Sequence, residues 1–292
     1  MIMKFIKLIL LLFFPTYCMG QNNINETIDN PMQFRVIYNY TQQATKNNEP
    51  FFVSDTMALD VGLQHSVYYN FNLFAKDSLQ YVIFSKNTRT LHFNGSYNNE
   101  ELERRLQMKR GFDDIIGDRL GETSRIYKDL ENENIVTLER DNLSLQYKYK
   151  VEEKIYHEWE LTGDTATILN YSCQKAKTHF RGRTYYAWFT LDIPVFDGPW
   201  KFFGLPGLIL HVEDDNSLVR LTAIGLEKTN QSRYLDYKPN SSNAEKITFN
   251  KLNLIKQKQV ENIYYGFIDD ASNKSFYKTK NPVTYIDLEI SD

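Results

Sequence analysis

Residues 192–210 read DIPVFDGPWKFFGLPGLIL, and the rest of the chain is best read outward from them. Pro194, Pro199 and Pro206 fix φ, whereas Gly198, Gly204 and Gly207 admit backbone shapes that other residues resist. An ordered, many-turned loop is therefore expected here, feeding a strand over 205–212. The apolar side chains Phe196, Trp200, Phe202, Phe203 and Leu205 either floor a ligand pocket or plug one end of a sheet, and core packing is the commoner use. Extended patterns flank the loop at 171–193 and 218–226, with Asp214-Asp215-Asn216 as a tight turn before the second.

Further out, the period-2 signal continues. Phe34, Val36, Tyr38 and Tyr40 share one face of a strand, and Leu143, Leu145, Tyr147 and Tyr149 share another. Strands are also expected at 66–74, 79–84, 156–161 and 165–169, the last two divided by Gly163-Asp164. Asn98 or Asn99 caps a short helix over 100–109 that ends at Gly111. Ile247, Leu252, Ile255, Val260 and Ile263 fit a helical period better than a strand. With 20 Tyr and 19 Phe against 13 Gly and 8 Pro, the composition also leans towards sheet. The expected fold is α+β and sheet-dominated: a large antiparallel sheet, able to curl into a half-barrel, with one or two helices. No repeat or linker divides it, so residues 21–292 are taken as one domain.

Residues 1–20 have the pattern of a signal peptide. Lys4 and Lys7 form a basic start, 8–14 are apolar, and Cys18-Met19-Gly20 offers a small-x-small cleavage site. The apolar run is too short to span a bilayer, which takes about 20 residues, and no transmembrane helix is expected in the mature protein. Acylation of Cys18 is disfavoured by the bulky Tyr17 before it. The expected location is exported, in the periplasm or associated with the outer membrane. Cleavage leaves Cys173 as the sole cysteine, so no internal disulfide can form. The full chain carries a net charge of −3, and losing Lys4 and Lys7 makes it more acidic, which gives no reason to expect nucleic acid as a partner.

Candidate chemistry begins at Cys173. On a strand, Lys175, Lys177, His179, Arg181 and Arg183 fall on the same face, in a row roughly 27 Å long at about 3.3 Å per residue. Such a row is either an anion-binding stripe or a solvated outer face, and a bulge at Gly182 would part Arg181 from Arg183. Cys173 with His179 could serve a cysteine-dependent enzyme, and Cys173, His179 and His211 could hold a soft metal. A buried, inert cysteine is the commoner case. His157-Glu158 lacks the second histidine of a zinc-protease helix, since Leu161 stands in its place. No nucleophile elbow or phosphate loop is present, and no cofactor is expected.

The run Gly204-Leu205-Pro206-Gly207-Leu208-Ile209 is the hexapeptide that names the GLPGLI family. Cys173-Gln174-Lys175-Ala176, Phe180-Arg181-Gly182-Arg183, Ala187-Trp188-Phe189-Thr190, Ile193-Pro194 and Gly198-Pro199-Trp200-Lys201 resemble that family's run in its usual order, mainly over 150–230. Met57 to Gly62 and Asn281-Pro282 resemble its outer elements. The resemblance implies an exported protein of Gram-negative bacteria, of uncharacterised function, with outer-membrane proteins as partners. The order of strands and loop over 185–226 also looks similar to periplasmic lipoprotein carriers of the LolA type. The resulting expectation is a non-catalytic binding or envelope-assembly protein. Its apolar, partly anionic ligand would lie over Trp200 and Phe203 and be held by Lys175, Arg181 and Arg183.

Overall fold

The computed structural model describes residues 31–46, 48–73, 122–140, 147–229, 235–240, 243–261, 264–270, 273–278 and 284–285. The expected leader with Cys18, the strand expected at 79–84, the helix expected at 100–109, Leu143 and Leu145 of a further expected strand, and Asn281-Pro282 lie outside them.

Two antiparallel meanders make up the fold. The first runs through β1 (Phe34–Lys46), β2 (Glu49–Val61), β3 (His65–Asn70), β4 (Arg125–Asp129), β5 (Asn134–Arg140) and β6 (Tyr147–Lys154). The second comprises β7 (Glu160–Ile168), β8 (Tyr171–Phe180), β9 (Arg183–Thr190), β10 (Leu208–Asp214) and β11 (Val219–Lys228). They join where β1 pairs with β11, from Phe34↔Lys228 to Gln42↔Val219. The short β12 (Glu245–Lys246) adds parallel to β6, and β15 (Thr284–Tyr285) pairs with the end of β1, completing a 13-stranded sheet among the described residues. The hairpin of β13 (Tyr264–Asp270) and β14 (Asn273–Lys278) stands apart from it. The helix Phe249–Glu261 confirms the change of period expected near the C-terminus.

The sheet is open, yet it cannot be flat. Strand order puts ten steps between β6 and β7, about 48 Å at the usual spacing of roughly 4.8 Å. Only residues 155–159 connect these two strands, and a link of that length reaches about 20 Å at most. The sheet must therefore curl until its far edges face each other. Contacts across the gap agree: Arg181, at the β8–β9 turn, pairs with Glu153 on β6.

Alternation assigns the faces. Val36, Tyr38 and Tyr40 of β1, Met57, Leu59 and Val61 of β2, Tyr68, Ile126 and Ile135 point inward to one core with Trp200, Phe202, Phe203 and Leu205 of the loop. The interleaved Ala58, Val67, Tyr69, Tyr127, Val136 and Leu138 point outward, and Leu235 covers them. Each large side chain buried in this way contributes roughly 2–3 kcal/mol.

Three sequence expectations need correction. Residues 171–193 form a hairpin instead of one strand, because Arg181 (φ 51°) and Gly182 (φ 73°) are both left-handed and make a two-residue turn whose twist suits the flanking strands. Residues 160–168 form a single strand, with Gly163-Asp164 absorbed as an irregularity between Leu161 and Thr165. Among the described residues, β4 and β5 were not anticipated, since charged residues interrupt their apolar pattern.

Candidate functional site

The second half of the loop at 191–207, chiefly residues 197–203 with Leu205 and Gly207, fills the interior of the curl, held by side chains of the surrounding sheet and of the 155–159 link, while Leu191 and Phe196 are exposed. Lys128 Nζ donates to Gly198 O at 2.5 Å, His157 Nε2 to Lys201 O at 2.9 Å, Trp159 Nε1 to Phe203 O at 2.9 Å, and Tyr38 OH to Ile209 O at 2.7 Å. Carbonyls that a loop would ordinarily turn to water are thus satisfied inside the protein. Trp200 (φ 54°) and Gly204 (φ 91°) make the reversals this path needs. Gly207 runs so close to β9 that a Cβ there would lie 2.0 Å from Thr190 O.

Two ionic groups lie under the loop. Lys128 and Asp197 are in direct contact with no solvent exposure, and Asp197 Oδ1 also accepts from Gly198 N at 2.7 Å. Burial pushes the Lys128 ammonium down from its ordinary value, while Asp197 acts to hold it up. Glu153 receives Lys201 Nζ at 3.0 Å as well as Arg181. Phe249 of the helix lies against both cations, 3.7 Å from Arg181 Cζ and 5.4 Å from Lys201 Nζ to the ring centroid. His157 is enclosed by Trp159, Phe180, Phe202 and Phe203, and burial lowers its imidazole to about 4. It is neutral at physiological pH, with Nε2 protonated towards Lys201 O.

The residues singled out in the sequence do not assemble into one site. Trp200 and Phe203 are packed in the core, together with Gly198, Pro199, Leu205, Gly207, Leu208 and Ile209, while Gly204 and Pro206 reach the surface. Arg181 turns inward to Glu153, and Arg183 bonds Asp214 Oδ2 at 3.1 Å. Lys175 lies over the rings of Tyr186 and Trp188, at 4.6 and 4.9 Å, and beside Asp164 at 3.3 Å. The continuous cationic row is therefore broken at the turn.

Cys173 and His179 belong to one extended strand, so their Cα atoms are about 20 Å apart, too far for a nucleophile and its base. Cys173 is wholly buried, and burial pushes its thiol up, the opposite of what a thiolate nucleophile requires. His211 bonds Thr222 Oγ1 at 2.7 Å and packs against Trp188. No group of three or more His, Cys, Asp or Glu among the described residues is placed to hold a metal ion.

A second polar cluster lies on the inner face and had no sequence signal. Tyr68, Ile126 and Thr137 are cross-strand partners in one row. The segment 122–124 runs beside it, tied by Glu122 N to Asp55 Oδ2 (3.1 Å), Asn70 Nδ2 to Glu122 O (3.1 Å) and Thr123 Oγ1 to Glu139 Oε1 (2.8 Å). Tyr68 OH and Thr137 Oγ1 are buried without a hydrogen-bond partner among the described residues. Burial first, and then the nearby Glu122, raise the Tyr68 phenol well above its usual value, so it remains a neutral donor.

No curated protein matches the chain. Two solved structures of PNGF-II, in space groups C2 and P21, resemble it at 15% and 16% identity with TM-scores of 0.46 and 0.45. The similarity covers 80% and 82% of this chain, which spans only 34% and 37% of theirs, about a third of their length. The GLPGLI assignment is overturned, since the family that matches is a different one and its match includes the hexapeptide itself. The expected non-catalytic envelope-binding role is overturned with it, because the matching family is named for a glycanase. That family is described as "N-glycanase peptide, N-terminal domain", and its match runs over residues 128–251, under half of this chain.

Proposed function

We propose that this chain is a glycan-directed protein of the N-glycanase kind, acting on N-linked glycans carried by proteins or peptides. The observation that carries the reading is the family match over 128–251. Its span begins at Lys128, includes Glu153, His157 and Asp197, and ends in the helix that stacks on Arg181, so it takes in the strapped loop together with most of its anchors. An exported location, as expected from the pattern of residues 1–20, is part of the proposal, since it brings the protein to glycosylated substrates.

The test uses the full chain after removal of any leader. A glycoprotein bearing neutral, mannose-rich N-glycans and its enzymatically deglycosylated form are each incubated with the protein. Mass spectrometry follows glycan release, and an immobilised-protein column follows retention. Glycan release, or retention of the glycosylated form alone, is expected. No release together with equal behaviour of the two forms would sink the proposal.

A further inference from the structure

Tyr68 and Thr137 pose a problem of accounting on the inner face. Their hydroxyls are buried, the residues being only 1% and 5% exposed, and neither has a hydrogen-bond partner among the described residues. Leaving a buried hydroxyl unsatisfied is costly, and such groups are ordinarily paired with protein, with ordered water or with a bound ligand. Both lie in the same cross-strand row, one strand to either side of Ile126, which puts their Cα atoms about 10 Å apart. Two unpaired hydroxyls facing one way, at that separation, can be met by a single small molecule with several hydroxyls of its own.

The surroundings narrow the chemistry. Asp55 and Glu122 lie close enough to act on the Tyr68 phenol, and Glu139 is two residues from Thr137 on the same face of β5, with Lys256 at 2.6 Å from Glu139 as the counter-charge. An acidic rim disfavours carboxylate, sulfate or phosphate groups, whereas carboxylates accept well from neutral hydroxyls. Tyr and Thr hydroxyls both donate and accept, which suits a polyol. Asn70 and the backbone of 122–124 fix the rim through the hydrogen bonds already described.

We propose that Tyr68 and Thr137 floor a subsite for one uncharged sugar residue, with Asp55 and Glu139 at its rim. The subsite rests on the glycan-directed reading above and adds where the glycan is held and that its bound residue is neutral.

The two hydroxyls are removed with little change of shape by Tyr68→Phe and Thr137→Val, singly and together, in the full chain. Titration calorimetry with a mannose-rich N-glycopeptide, and separately with a sialylated one, measures binding, and urea unfolding measures stability. Wild type is expected to bind the neutral glycopeptide at least about tenfold more tightly than the sialylated one. Each substitution should weaken neutral binding roughly five- to tenfold, about one hydrogen bond. The urea midpoint should stay unchanged or rise, because an unsatisfied group has been removed. Wild-type affinity in all three variants would overturn the subsite while leaving the glycan-directed reading standing. Destabilised variants would also overturn it, since the hydroxyls would then be serving the fold. A wild type that neither binds nor releases glycans would fail both readings together.

Discussion

Replacing Lys128 by methionine should be among the most damaging single changes in this protein. Methionine keeps the apolar stem that β4 sends inward but deletes the ammonium held between Asp197 and Gly198 O. Asp197 would then be a fully buried carboxylate whose remaining partner is Gly198 N. Breaking one side of a buried ion pair costs about 3–5 kcal/mol, a range that includes the roughly 1–3 kcal/mol of an orphaned polar group. The double variant Lys128→Met/Asp197→Asn removes the stranded charge while keeping an acceptor for Gly198 N, and should recover about half of the loss. Urea unfolding followed by tryptophan fluorescence suits the question, because Trp200 lies in the same loop. With a slope near 3 kcal/mol per molar urea, the single variant should lower the midpoint by about 1 M or more. A single variant within about 1 kcal/mol of wild type, or a double variant no better than the single, would refute the claim that this pair anchors the loop.

Acidification tests His157. Its imidazole sits near 4 in the folded protein against an ordinary 6.5, so the unfolded chain takes up the proton first as pH falls. The associated stability is complete above about 6.5 and drains away towards 4, to a total of roughly 3 kcal/mol; His157→Gln should flatten this slope, and parallel slopes would contradict it. Gly207→Ala should cost several kcal/mol, because the new Cβ meets the immovable Thr190 carbonyl, whereas Gly225→Ala has open space and should stay within about 1 kcal/mol. Equal urea midpoints for those two variants would remove the argument from close approach. Cys173 should resist iodoacetamide in the native protein and react fully in urea, as followed by intact mass, and rapid native labelling would show that it is not buried.

Local signals in the sequence suffice where neighbours along the chain decide the outcome. The alternation of Phe34, Val36, Tyr38 and Tyr40 is the inner face of β1, and Ile247, Leu252 and Ile255 mark the helical turn of the tail. The Pro/Gly loop leads into a strand, β10, as its composition implies. The failures share a cause, which is partnership across long separations. Lys128 spoils the apolar pattern of β4 until Asp197, 69 residues on, is seen beside it. Arg181 looked like one more cation on a strand, since its left-handed backbone is unusual for a residue with a Cβ and only the adjacent Gly182 hinted at a turn. The hydroxyls of Tyr68 and Thr137 leave no trace in the sequence, because what marks them is the lack of a hydrogen-bond partner among the described residues. The hexapeptide at 204–209 was specific as a string, yet the family matching the span around it is a different one.

The seam between β1 and β11 bears on how the protein is made. β1 is the earliest of the described strands to leave the ribosome, and its partner β11 begins only at Val219. At about 5–20 residues per second, β1 waits on the order of 10–40 s for that partner. Throughout that interval one edge of the nascent first meander exposes unpaired N–H and C=O groups to any passing strand. A chain halted at residue 216 is therefore expected to aggregate, and its recovery as a soluble monomer would contradict this.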